Sequence, residues 1–264
     1  MKYKALFFDI DGTLYVPGEA GVRPAVLSAI RKAQAAGARC VIASGRPSSA
    51  VPDFLSEVHA DGMILSNGAQ VVLGGESSCR FLPEEACRDA ARFLEAQGIH
   101  YALQTDSSNY FPAAWQDMID YYHHYRIFNL THDYDENAVF SRVLKLEFVT
   151  RTQEQRQAVL KYKTPLGAEL HPDGVSMEFN DLRFSKADGV KKLLEMMDLP
   201  VESSAAFGDA VNDLTMLRSC GTGVAMGNAS DEVKAAADLV CPSVREEGVA
   251  RLLTQWLADD NPPS

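Results

Sequence analysis

Cysteine is scarce and poorly placed for bridging. Cys40, Cys79, Cys87, Cys220 and Cys241 are scattered over 264 residues, an odd count with no C-x-x-C pair. A disulfide framework or a zinc site is therefore not expected, and a reducing cytoplasm is. No long basic run occurs and the formal net charge is −11, which argues against nucleic-acid binding through general electrostatics. The same acidity means that any anion site must make its own positive field, from a metal, a lysine or backbone amides. No apolar stretch reaches membrane-spanning length, so no membrane partner is expected. The opening MKYKALFFDIDG meets charge too early to read as a secretory signal. The G-x-G-x-x-G that would follow the first strand of a dinucleotide-binding enzyme is missing. There is no internal repeat or low-complexity segment, and nothing sets an oligomeric state.

What remains is an ordinary balance, 46% hydrophobic and 23% charged, with length enough for a large core and two domains. ALFFDI is a short apolar run without helical period, a buried strand. RPAVLSAIRKAQAAG reads as an amphipathic helix closed by glycine, RCVIAS as a second strand, PSSAVPDFLSEV as a helix and GMILSNGA as a third strand. That alternation predicts βαβ units and a parallel sheet. From Pro83 the rhythm changes to an α+β pattern, with helices in PEEACRDAARFLEAQG, AAWQDMIDYYHHYR and QEQRQAVLKYK. Strands are expected in IHYALQT, VLKLEFVT, GAELH and GVSMEFN, the last two joined by a turn at Pro172 to Gly174. At Lys186 the first rhythm returns through SAAFGD, TGVAMG and DLVCP, and the chain closes on a helix and a frayed tail, DNPPS. The fold class is α/β: a Rossmann-like parallel-sheet core (1–82 and 184–264) interrupted by an inserted α+β unit (83–183).

Open parallel sheets form their sites beyond the carboxyl ends of the strands. Those ends read Asp9-Ile10-Asp11, Ser44-Gly45-Arg46, Ser66-Asn67-Gly68 and Gly208-Asp209, all small or polar. A capping role would explain any one of them, and does not explain the set. Three acids at one mouth suit a hard cation: magnesium takes one or two carboxylates and keeps its waters or substrate phosphate oxygens. Asp9 and Asp209 are natural ligands, with a backbone carbonyl near Asp11 as a third. Asp213, four residues on at a helix start, could hold a metal-bound water or a lysine; alone it would read as a helix N-terminal acid. An ionised Asp9 can attack phosphorus in line, and Asp11 can supply and then recover a proton. Ser44, the Gly45 and Arg46 amides and Lys186 are candidate phosphate donors. For a lone serine or lysine, capping or solvation would be the better explanation.

Taken together, DIDGT, VIASGRP, FSKADGV and GDAVND closely resemble, in order, the four motifs of the haloacid dehalogenase-like phosphohydrolases. NGA, GDAVNDLTML and VAMGNA narrow the likeness to the Cof-like branch with a large α/β cap. The resemblance implies Asp9 as nucleophile, Asp11 as acid–base, Ser44 and Lys186 on phosphate, and Asp209 completing a magnesium site supported by Asn212 and Asp213. It also implies a cap that closes over the mouth and sets substrate choice. Asn67, Gly68 and Arg46 are candidate substrate contacts, a structural salt bridge being an equal expectation for Arg46.

The expected activity is magnesium-dependent hydrolysis of a small phosphorylated metabolite, a sugar phosphate first. A sugar phosphomutase of the same fold is the alternative, weighed against by the want of a clear basic cluster for a second phosphate in the cap. A non-catalytic phosphometabolite sensor is a further rival. In DYYHHYR, Tyr121, His124 and Tyr125 share a helical face that could stack on a sugar or ring, packing on the cap's own sheet being the better expectation. His123 and His124 diverge too far to share a metal.

Overall fold

The computed structural model describes residues 1–16, 18–171 and 173–260. Pro172 of the expected turn and 261–264 of the expected tail lie outside the described residues. In chain order the first elements are β1 (Ala5–Phe8), α1 (Pro24–Ala35), β2 (Arg39–Ala43), β3 (Gly62–Leu65), β4 (Gln70–Leu73) and β5 (Glu76–Cys79). Then come α2 (Glu84–Ala96), β6 (Tyr101–Gln104), β7 (Asn109–Tyr110), α3 (Gln116–His124), β8 (Leu130–Thr131), α4 (Glu136–Phe140), β9 (Lys145–Val149), α5 (Gln153–Lys161), β10 (Gly167–Leu170) and β11 (Ser176–Asn180). The chain ends through α6 (Lys186–Met196), β12 (Ser204–Gly208), α7 (Leu214–Ser219), β13 (Thr222–Ala225), α8 (Asp231–Ala236), β14 (Leu239–Val240) and α9 (Gly248–Asp260). The contacts divide the chain into two units: 1–45, 53–78 and Phe184 onward form one, 46–52 and 79–183 the other.

The first unit is built on a sheet of order β14-β13-β12-β1-β2-β3-β4-β5. The strands from β14 to β3 run parallel, and β4 returns antiparallel against β3. Because β1 is central, its apolar run is buried on both faces, as a parallel sheet requires. Ala5 and Phe7 join Val190, Leu193, Met216 and Val233 from α6, α7 and α8 on one side. On the other side Phe8 stacks on Phe207, which in turn meets Trp256 of α9. The chain steps from β1 outward to β2 and β3, then returns on the opposite side at β12. The crevice where strand order reverses thus lies between β1 and β12, whose last residues pair Phe8 with Phe207.

One sequence expectation needs correction here. PSSAVPDFLSEV is not one helix but two 3-10 turns, Ser48–Ala50 and Asp53–Val58. Pro52 lacks the N–H a helix needs and forces Val51 into extended backbone (φ −77°, ψ 123°). The hairpin partners β4 and β5 also went unseen, since four-residue strands beside a Gly-Gly turn carry little periodicity.

The second unit has a six-stranded sheet, β10-β11-β9-β6-β7-β8. One face packs Leu103, Leu146, Phe148, Met177 and Phe179 against α2, α4 and α5. The opposite face meets α3 through Ala102, Phe111, Met118 and Tyr122 and is otherwise polar. The aromatic stripe is shifted from its expected setting. Tyr122 is the fully buried member, Tyr121 donates to Glu147 Oε1 at 2.7 Å, and His124 is exposed. The i, i+4 pair Met118 and Tyr122 sets the buried face of α3, leaving His124 outside it.

Candidate active site

Asp9 is the first residue beyond β1, and its N–H donates to Phe207 O of β12 at 3.0 Å. Its Oδ1 accepts from Lys186 Nζ at 2.6 Å, and the same ammonium donates to Asp213 Oδ1 at 2.6 Å. Lys186 is wholly buried, as is Asp213. The lysine opens α6, whose entry is fixed by a reciprocal cap in which Ser185 N–H donates to Asp188 Oδ2 at 2.8 Å. Gly68 seats that entry: it has φ +96°, and a Cβ there would stand 2.2 Å from Ser185 O. Gly68 therefore serves close backbone approach, a packing reason distinct from the substrate contact expected of it.

Asp209 follows β12, and the Asp209 and Ala210 amides both donate to Asp213 Oδ2 at 3.0 Å. Asp213 is thus fully engaged by the lysine and these amides. Asp209 itself accepts from Thr13 Oγ1 at 3.4 Å and from Asn228 Nδ2 at 3.0 Å; Asn228 Nδ2 also donates to Gly12 O at 3.0 Å. Thr13 and Asn228 were not singled out from the sequence, although both lie in stretches read as motifs, DIDGT and VAMGNA. Gly12 is the geometric condition for this corner: with φ +88°, its missing Cβ would fall 2.2 Å from Asp209 Oδ2.

Oxygen atoms of Asp9, Asp209 and Asp213 lie within 4.8 Å of one another. Asp11 contributes no side-chain oxygen to that group; it is half-buried and bridges Tyr15 through the turn that follows. Ser44 is buried at the end of β2, its N–H donating to Ile64 O at 2.7 Å, and its carbonyl accepts from Asn67 N–H at 3.2 Å. Asn212 Nδ2 donates to Asn67 Oδ1 at 3.4 Å, and Gly45 lies against the same Asn67 side chain. These bonds gather the ends of β1, β2, β3 and β12 with the opening of α6. Arg46 begins the 46–52 stretch grouped with the second unit, and its Nη1 donates to Ala50 O at 3.3 Å.

The electrostatics are unbalanced toward negative charge. Burial and Asp213 push the Asp9 carboxyl well above its ordinary range, against the pull of Lys186. Burial and Asp213 likewise raise Asp209 to about 6. Burial alone would lower Lys186, but Asp213 and Asp9 outweigh it and hold the ammonium above its ordinary value. One lysine faces three carboxylates, all hard oxygen donors, so the corner fits a divalent cation such as magnesium.

The family model described as haloacid dehalogenase-like hydrolase matches residues 6–253. This chain belongs to the haloacid dehalogenase-like hydrolases. Its fold agrees with the solved structure of a subclass IIB sugar phosphatase, BT4131, at a TM-score of 0.80 and 29% identity, covering 96% of this chain and 98% of that one. Phosphatase YwpJ of Bacillus subtilis is 24% identical, with 96% of this chain and 100% of YwpJ aligned. Pyridoxal phosphate phosphatase YbhA of Escherichia coli is 26% identical, over 97% of this chain and 100% of YbhA. Like other haloacid dehalogenase-like hydrolases, the chain is an enzyme of the phosphatase and phosphotransferase class. No helix among the described residues is long and apolar enough to cross a membrane.

Proposed function

We propose that this enzyme is a magnesium-dependent phosphatase that hydrolyses a small phosphorylated metabolite through an aspartyl-phosphate on Asp9. The observation that carries the reading is Lys186 Nζ, held 2.6 Å from both Asp9 and Asp213 beside Asp209. A buried ammonium fixed by one acid and donating to a second, at a topological switch point, is positioned to hold a nucleophilic carboxylate against an anionic substrate. Asp9 and Asp209, with the main-chain carbonyl near Asp11, would hold the magnesium, which when bound offsets the crowded charge and polarises the phosphoryl oxygens.

In this reading Lys186 holds Oδ1 of Asp9, and Oδ2 attacks phosphorus in line. Ser44 and the Gly45 amide donate to the transferring group's oxygens. Asp11 gives a proton to the departing alkoxide, then takes one from the water that cleaves the acyl-phosphate. Asp213 and Asn212 position the lysine and the turn bearing Asn67. The inserted unit would act as the cap that selects the substrate. The sugar phosphatase among the structural relatives supports a sugar phosphate as first candidate. An odd count of five cysteines with no C-x-x-C pair supports a reducing, cytoplasmic setting.

The test is phosphate release from a panel of sugar phosphates, nucleotides, pyridoxal phosphate and flavin mononucleotide, with and without added free sugar. Release dependent on Asp9 and magnesium is expected. Transfer to the sugar in place of release would make the enzyme a phosphomutase, and no release from any monoester would leave only a binding protein.

A further inference from the structure

Asn228 is exposed to solvent, yet its side-chain amide bonds to three separate segments of the first unit. Its Nδ2 donates to Asp209 Oδ2 and to Gly12 O, each at 3.0 Å, and its Oδ1 accepts from Val244 N–H at 2.9 Å. Water satisfies an exposed amide nearly as well as protein does, so these bonds call for a reason beyond satisfying the asparagine. The partners also fix which way the amide faces. Turned over, its oxygen would meet the Gly12 carbonyl and the Asp209 carboxylate, and its NH2 would meet the Val244 N–H.

The anchor of this clamp is a well-fixed turn. Val244 opens the 3-10 turn Val244–Glu246, where Ser243 N–H donates to Glu246 Oε2 at 3.1 Å and Ser243 Oγ donates to the same oxygen at 2.6 Å. Just beyond it, Gly248 packs so closely that a Cβ there would stand 1.8 Å from Pro242 O. The clamped groups are two of those proposed above to hold magnesium. Asn228 grips Asp209 directly and braces the carbonyl near Asp11 through Gly12, whose own N–H donates to Tyr15 O at 2.9 Å. Oδ2 of Asp209 carries the amide bond. Oδ1 accepts a longer one, 3.4 Å, from Thr13 Oγ1, and is the oxygen left for an ion.

A carboxylate limited to one oxygen does not suit all divalent ions equally. Magnesium demands a tight octahedron and keeps much of its water, whereas calcium takes more ligands at longer range and accepts a carboxylate through both oxygens. A fixed Asp209 offering one oxygen favours magnesium. The same carboxylate, free to turn and offer both, favours calcium.

We infer that Asn228 is a positioning residue that sets ion choice at this corner: by holding Asp209 Oδ2 and Gly12 O, it makes Asp209 a one-oxygen ligand and selects magnesium over calcium. The inference rests on the phosphatase reading, whose metal corner it takes as given, and adds the discrimination between the two cations.

The test reads ion binding without turnover. Thermal unfolding of the chelator-treated, dialysed protein in rising MgCl2 or CaCl2 gives a Kd for each ion from the rise in Tm. Asn228→Ala should shift the ratio of the two Kd values at least about tenfold toward calcium, the lower end of what losing a ligand's hydrogen-bond partner does to a metal site. Val244→Pro removes the N–H that anchors Asn228 and leaves the asparagine in place. Proline is tolerated at the first position of such a turn, and Ser243 before it is already extended (φ −63°, ψ 163°). That variant should shift the ratio the same way, by at least about threefold, less than loss of the amide itself. The Tm of the ion-free protein is the control, because loss of a merely structural asparagine would lower it and leave the ratio where it was. A ratio within twofold of wild type in either variant, with magnesium still raising the wild-type Tm, would overturn the role of Asn228 and leave the phosphatase reading standing. If neither ion raises the wild-type Tm, the magnesium site and the role of Asn228 fall together.

Discussion

At the residue scale, the corner around Asp9 separates catalytic from structural roles by the sign of the stability change. Asp9→Asn removes one carboxylate from a crowded site, so turnover should fall at least about a thousandfold while Tm holds or rises. Lys186→Met leaves Asp9 and Asp213 buried without their cation and should cost roughly 3–5 kcal/mol, seen as a lower denaturation midpoint. Retained turnover in Asp9→Asn would remove that residue from the nucleophile's role. Gly12→Ala tests the glycine geometry. Its Cβ would collide with Asp209 and its φ is left-handed, so about 1–2 kcal/mol of stability and most of the activity should be lost. Gly74→Ala, with φ +60° and open space around it, should carry the backbone penalty and keep the activity.

The acids and the lysine were legible in the sequence because each ends or begins an element with a clear pattern. Thr13 and Asn228 were not singled out, because what they do is hold Asp209, and a hydrogen bond spanning 196 positions leaves no local trace. Gly68 was read as a candidate substrate contact; the approach to Ser185 O adds a reason, invisible in the sequence, why a side chain is excluded there.

At the element scale, the left-handed run between β3 and β4 is unusual. Ser66, Asn67 and Gly68 have φ of +49°, +51° and +96°, and two of the three carry side chains that pay a steric penalty there. The turn persists because Asn67 is held from both sides, by Ser44 O and by Asn212. It ties the end of β3 to the loops after β2 and β12. The strands β9 and β11 make a second prediction. Although burial opposes it, Lys145 and His171 hold Glu178 down to about 2, from an ordinary 4.5. A carboxylate whose folded value is depressed contributes stability that is present above 4.5 and is lost as pH falls toward 2. Melting curves of the native protein should drop through that window by an amount on the order of a few kcal/mol, and Glu178→Gln should flatten the drop. His171 works in the opposite sense. Glu178 and Glu147 raise it against burial, so its contribution is complete below 6.5 and fades as pH climbs through the raised value.

At the scale of the whole molecule, the question is what joins residues that the chain keeps apart. Lys186 and Asp9 are 177 positions apart, with the second unit's strands and helices between them. A divalent ion at the acids should bind the folded chain and not the unfolded one. Magnesium should then raise Tm in proportion to RT ln(1 + [Mg]/Kd), about 2.7 kcal/mol at a hundred times Kd. Asp209→Asn should lose most of that rise. Activity should vanish in excess chelator and return with magnesium, and full activity in chelator would rule the metal out of the reaction.

The sequence by itself determined the alternation of strand and helix, the interruption of an α/β unit by an α+β one, and the four polar strand ends, because periodicity and end residues are local properties of the chain. It could not supply the two-residue strands β7 and β8, too short to show a period, or the split at Pro52 into two 3-10 turns. Only the tertiary structure decided that Asp213 belongs to the lysine and that Asp209 is held by Thr13 and Asn228. Those facts depend on which atoms of distant segments come within hydrogen-bonding distance, and that is fixed by sheet order and register.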